Sequence, residues 1–247
     1  MKADSFAKLV VLDALIEAEV GYFLEHGSSS LELFREGMVA RMSDLIDDID
    51  VLDSVAAARA YDASVDFLAD LPEDEDGVVE AAIRFRRAID KLIARGMDRR
   101  DLAAASTWAV VLDELLSELA DEYHTAVGPD GGIRPREFNR VRALLNRSRL
   151  AADRMLWGAE VIRPEMFDEL DRLAYAVRNR RLRPTAIDQL IRPIQRRAAK
   201  FRPTSITSVG AFVFRQLIKK DPKQRLGRAG RERGGNPAGP DRRRSGA

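Results

Sequence analysis

The chain has 247 residues, 45% of them hydrophobic and 33% charged, with no cysteine and only two histidines. That content supports one or two domains with a real core, and the lack of Cys excludes a disulfide framework, thiolate catalysis and zinc–thiolate sites. The net charge of +1 conceals a split: residues 1–125 hold 12 Lys/Arg against 28 Asp/Glu, and residues 126–247 hold 29 against 12.

Ala, Leu, Arg, Asp and Glu dominate and aromatics are sparse, a composition of helices rather than strands. The first predicted element begins at Phe6, with Leu9, Val10, Ile16, Val20 and Phe23 at helical spacing and Asp13, Glu17 and Glu25 on the polar side. It closes near His26-Gly27, where glycine readily takes the left-handed conformation. Ser29 and Glu32 then form a capping box for a second helix, buried through Phe34, Met38, Met42, Leu45, Ile49 and Leu52. A third segment carries Val55, Tyr61, Val65 and Leu68.

Pro72–Gly77 reads as a solvated turn, followed by a helix with Val79, Ile83, Ile89 and Leu92 that stops at Gly96. Asp98 and Asp101 are expected caps for the next helix, whose apolar face is Leu102, Trp108, Leu112, Leu115, Leu119 and Tyr123. The Gly- and Pro-rich run Val127–Pro135 is the expected boundary, because it cannot continue a helix and because the charge changes sign there.

Beyond it Pro135, Pro164 and Pro184 sit where helices begin, which predicts helices over roughly 135–161, 164–181 and 184–200, with Pro193 kinking or shortening the third. A last helix over about 205–220 ends at Asp221-Pro222, and 223–247 read as a disordered Arg/Gly/Pro-rich basic tail. The expectation is an all-α chain of about nine helices: an acidic bundle over 1–125, a basic helical portion over 126–220 and the tail over 221–247. Trp108 and Trp157 are expected in the core.

Function is addressed mainly by the basic half. Arg140, Arg147 and Arg154 recur every seven residues, with Arg142 and Arg149 beside them. The expected buried stripe is Phe138, Val141, Leu145, Ala152 and Leu156, so these guanidiniums are expected on the opposite or flanking sides. Arg140, Arg147 and Arg154, together with Arg178, Arg180, Arg181, Arg196 and Arg197, form the candidate binding surface. Guanidinium pairs bidentately with phosphate and equally with carboxylate, so nucleic acid (DNA or RNA) and an acidic protein surface are the two partners this pattern suits. An intramolecular contact with the acidic half, or self-association, satisfies the same charge pattern. The Arg- and Gly-rich tail resembles segments that bind RNA or single strands by charge.

Carboxylate clusters give a third reading. Asp44, Asp47, Asp48 and Asp50 resemble the Asp-rich magnesium motif of helical isoprenoid synthases, and Asp113, Glu114, Glu118, Asp121 and Glu122 resemble the acidic pairs of all-α nucleotide pyrophosphohydrolases. Their wheel positions favour a solvated face over a metal site. Neither His26 nor His124 has a second ligand at metal-binding spacing. Leu217–Gly227 resembles a late C-lobe segment of AGC-family protein kinases, but the Gly-rich loop, H-R-D and D-F-G motifs are missing, so it implies no kinase activity.

No catalytic, metal or cofactor set is therefore assigned. The leading expectation is a non-enzymatic adaptor or scaffold whose basic half contacts nucleic-acid phosphates. The alternative is an assembly module pairing acidic and basic halves within or between subunits, and the third is a magnesium-dependent phosphohydrolase. The first 23 residues do not read as a signal peptide and no apolar run of about 18 residues occurs, so a cytoplasmic location without membrane association is expected.

Overall fold

A helix that is apolar on several sides must be covered on several sides, and α1 (Ala3–His26) is such a helix. Phe6, Ala7, Val11, Ala14 and Leu15 join one core, while Leu9, Leu12, Ile16 and Phe23 are buried on other faces. In the computed structural model, which describes residues 3–27, 75–128, 132–157, 159, 162–179 and 183–202, α1 packs against three other helices. Its C-terminus is closed by Gly27, at φ +80°, whose N–H donates to the Phe23 carbonyl at 2.7 Å.

The chain resumes at α2 (Glu75–Gly96), which lies along α1. Glu75, Asp76 and Gly77, expected in a turn, form its first helical residues. The buried stripe is Val78, Ala81, Ala82, Phe85, Ile89 and Leu92, and Ile83 is exposed. The expected face was thus rotated, because small Ala residues and Phe85 set the contact where only the aliphatic positions had been weighed. Asp98 caps the five-residue α3 (Arg99–Ala103) by accepting from the Arg100 and Asp101 amides at 2.7 and 2.8 Å. Asp101 lies within that turn rather than capping the next helix.

α4 (Ala105–Ala126) and α5 (Pro135–Met155) form an antiparallel hairpin, the most extensive helix pair among the described residues. The expected linker is instead a pinned joint. Val127 and Ile133 form an antiparallel bridge, and Arg134 N–H donates to the Ala126 carbonyl at 2.8 Å. α5 ends at Met155 rather than near 161, with Leu156 its last core residue. Trp157 therefore falls in the turn and is 78% exposed, against the expectation of a core residue.

α6 (Arg163–Asn179) and α7 (Pro184–Ala199) complete the described chain. α7 continues past Pro193 to Ala199, so that proline does not shorten it. One hydrophobic core takes residues from α1 and α4 and also from α5, α6 and α7, so it runs across the point where the charge changes sign. The described residues are all-helical, with seven helices and no strand. None of these helices is long and apolar enough to cross a membrane. The expected helices over 29–71 and 205–220, the Asp44–Asp50 cluster, the Leu217–Gly227 segment and the basic tail lie outside the described residues.

Candidate functional site

Because α5 packs against α4 on one side and α1 on another, the Arg ladder opposite its apolar stripe meets the charged positions of α1. Glu19 is the centre of this seam. Its side chain is 4% exposed and accepts from Arg136 Nε at 2.9 Å and from Arg140 Nε. Arg140 Nη1 also reaches Glu122 of α4 at 3.2 Å, and Asn139 Nδ2 donates to the Ala18 carbonyl at 2.6 Å. Burial alone would lower the Arg140 pKa, but the fields of Glu19 and Glu122 outweigh it and raise the pKa above the ordinary value. Arg140 is a fixed cation.

Two turns along, Asp13 and Glu17 receive Arg147 Nη2 at 2.6 and 2.9 Å. Arg86 of α2 donates to both oxygens of Asp13, at 2.6 and 3.2 Å, and the first of these bonds raises its pKa. Four helices, α1, α2, α4 and α5, are thus tied by one polar seam on the rim of the core. Of the partners open to Arg140 and Arg147, these bonds are the intramolecular contact with acidic-half carboxylates. A helix has more than one face to cover, and here the second cover is a helix rich in carboxylates.

The other candidate arginines divide. Arg197 is bound to Glu169 at 2.9 Å and to Glu165, which joins α7 to α6. Arg154, Arg178 and Arg196 are exposed, and Arg180 and Arg181 lie outside the described residues. Of the acidic cluster on α4, Asp113 pairs with Arg202 and Glu122 is buried against Arg140. Glu114 is pushed above the ordinary carboxylate range chiefly by burial, with Lys8 opposing the rise and Glu118, Asp113 and Asp4 adding to it. Among the described residues no three His, Asp or Glu side chains gather as metal ligands would. His124 Nε2 lies 3.0 Å from Asp188 of α7, and His26 stacks on Tyr22.

Between α5 and α6 lies a groove of about 800 Å³. Buried Phe138, Leu145, Ala174 and Val177 form its floor, and Arg142, Asn146, Arg149, Asp171 and Arg178 its rim. Arg149 is tied to Asp171, while Arg142 and Arg178 are exposed. A smaller hollow of about 180 Å³ beside Tyr22, Glu25 and His26 shares Phe138 and Arg142 with the groove's lining. Such a rim places two guanidiniums around an apolar floor, an arrangement suited to an anion with a flat or apolar portion. Of the candidate arginines among the described residues, Arg178 alone lines this groove. Arg142 and Arg149 were visible as a seven-residue pair, but the partner helix that turns them into a rim is not encoded in that spacing.

Comparison with known proteins finds no match, whether among family models, curated proteins or solved structures.

Proposed function

We propose that the protein is a non-enzymatic helical adaptor that neutralises part of its charge asymmetry internally and presents the α5–α6 groove to nucleic-acid phosphates. The observation that carries this reading is the rim: Arg142 and Arg178 are exposed beside each other's helices, while neighbouring arginines are consumed by carboxylates. Guanidinium at a groove edge suits phosphate oxygens. Asp13, Glu19, Asp113 and Glu122 are each engaged by arginine, so these four carboxylates serve structural pairing.

The second reading, pairing of acidic and basic halves within the subunit, is supported by the Glu19 seam and is compatible with the first, since pairing uses Arg136, Arg140 and Arg147 rather than the rim.

The test is fluorescence anisotropy of labelled oligonucleotides at several salt concentrations. Affinity that falls steeply with salt, and that drops at least about tenfold in an Arg142→Glu/Arg178→Glu variant, supports the reading. Undiminished affinity in that variant, or no binding at low salt, overturns it.

A further inference from the structure

A single exposed apolar side chain is ordinary, whereas large apolar side chains gathered beside a groove mark a docking surface. Among the described residues the two most exposed large hydrophobics are Trp157, at 78%, and Tyr175, at 72%, and both belong to the α5–α6 pair. Tyr175 sits on α6 one turn from each of Asp171 and Arg178, which line the groove. Trp157 stands in the turn just past the end of α5. The ring of Phe167, between them in the fold, already lies under two guanidiniums, those of Arg149 at 6.0 Å and Arg163 at 5.6 Å. Along the chain of this helix pair aromatic rings thus alternate with planar cations, in the order Trp157, Arg163, Phe167, Arg172, Tyr175 and Arg178.

That alternation distinguishes between forms of nucleic acid. A duplex buries its base faces in its own stack and offers a protein phosphates and groove edges. A single strand offers phosphates and unstacked bases, and exposed aromatics gain contact only from the latter. From this we infer that the α5–α6 face binds single-stranded nucleic acid, with phosphates on Arg142 and Arg178 and bases stacked on Tyr175 and Trp157. This inference rests on the reading of the groove as a phosphate-binding surface. Stacking is tolerant of base identity, so the site reads strandedness rather than sequence.

The experiment measures the full chain against a labelled oligothymidylate of about 12 nucleotides and against a duplex of the same length, by anisotropy at low and moderate salt. The expected result is at least about tenfold tighter binding of the single strand. Tyr175→Ala and Trp157→Ala are each expected to weaken single-strand affinity about fivefold or more and to leave duplex binding unchanged. Both residues are exposed, so neither variant threatens folding. Quenching of Trp157 fluorescence by the oligothymidylate, absent in Trp157→Phe, is a second expected sign. Equal or tighter binding of duplex, with no effect of the aromatic variants but loss in Arg142→Glu/Arg178→Glu, overturns the single-strand inference and leaves the phosphate-binding reading standing. Binding to neither probe, or binding indifferent to both sets of variants, overturns both. Saturable binding of an acidic peptide in place of either nucleic acid also overturns both, and assigns the face to a protein partner.

Discussion

Glu19 on α1 and Arg140 on α5 stand 121 residues apart in the chain and are bonded side chain to side chain at the edge of the core. Glu19 serves Arg136 as well, so one carboxylate neutralises two guanidiniums. Removing it is therefore worse than removing either arginine. Glu19→Gln, which keeps the shape and deletes the charge, is expected to cost about 3–5 kcal/mol in urea unfolding, the range for breaking a buried pair. Arg136→Met is expected to cost about 1–2 kcal/mol, because Glu19 keeps Arg140 and the buried, unbonded Arg136 Nη2 disappears. A cost for Arg136→Met equal to that of Glu19→Gln would show that the carboxylate is not the shared centre.

Two glycines of one segment are expected to respond in opposite directions. Gly27 holds φ +80° with open space where a Cβ would stand, so Gly27→Ala is expected to destabilise by about 1 kcal/mol through backbone conformation alone. Gly21 lies inside α1, and its Cβ would meet only Asn139 Nδ2 at 3.7 Å, an ordinary contact. Gly21→Ala is expected to stabilise by about 0.5–1 kcal/mol. Thermal unfolding of the two variants checks both signs.

Glu114 opposes folding when charged. Its folded pKa is raised, chiefly by burial, so the folded state holds its proton more tightly than the unfolded state does. The resulting stability is present below the ordinary carboxylate pKa and is lost as pH rises through the raised folded value. Glu114→Gln is expected to stabilise the protein at neutral pH by less than about 1 kcal/mol, since the group is half-buried, and to leave it unchanged in acid. Urea unfolding on both sides of the carboxylate range reads the difference. A larger gain in acid than at neutral pH would reverse the assignment.

Arg147 and Arg142 lie on different sides of the same helix and are expected to part company. Arg147→Ala strips Asp13 and Glu17 of a shared partner and is expected to cost about 1 kcal/mol at low salt, less at high salt. Arg142→Ala is expected to change stability by less than about 0.5 kcal/mol while lowering oligonucleotide affinity. Measuring unfolding and binding on both variants separates the seam from the groove.

Helix existence and most boundaries were legible, because Pro135, Pro184, Gly27, Gly96 and Asp98 mark starts and stops by local chemistry. The use of the arginines was not. A wheel drawn from one apolar stripe assigns everything opposite to water, and α5 has a second neighbour on that side. An arginine facing a carboxylate across two helices has the same periodicity as an arginine facing solvent. The hint lay in α1, whose apolar residues surround it too completely for a one-sided surface helix. Trp157 was misplaced for a different reason: the turn after Met155 interrupts the phase that would have carried it inward.

The bonds from Glu19 to Arg136 and Arg140, and from Asp13 to Arg147, also set an order of assembly. The α4–α5 hairpin forms from chain that is contiguous in sequence, whereas Glu19 of α1 finds its partners 117 and 121 residues further along. α1 thus completes its polar contacts only once α5 has been made, and until then it remains an acidic, apolar segment in need of shielding.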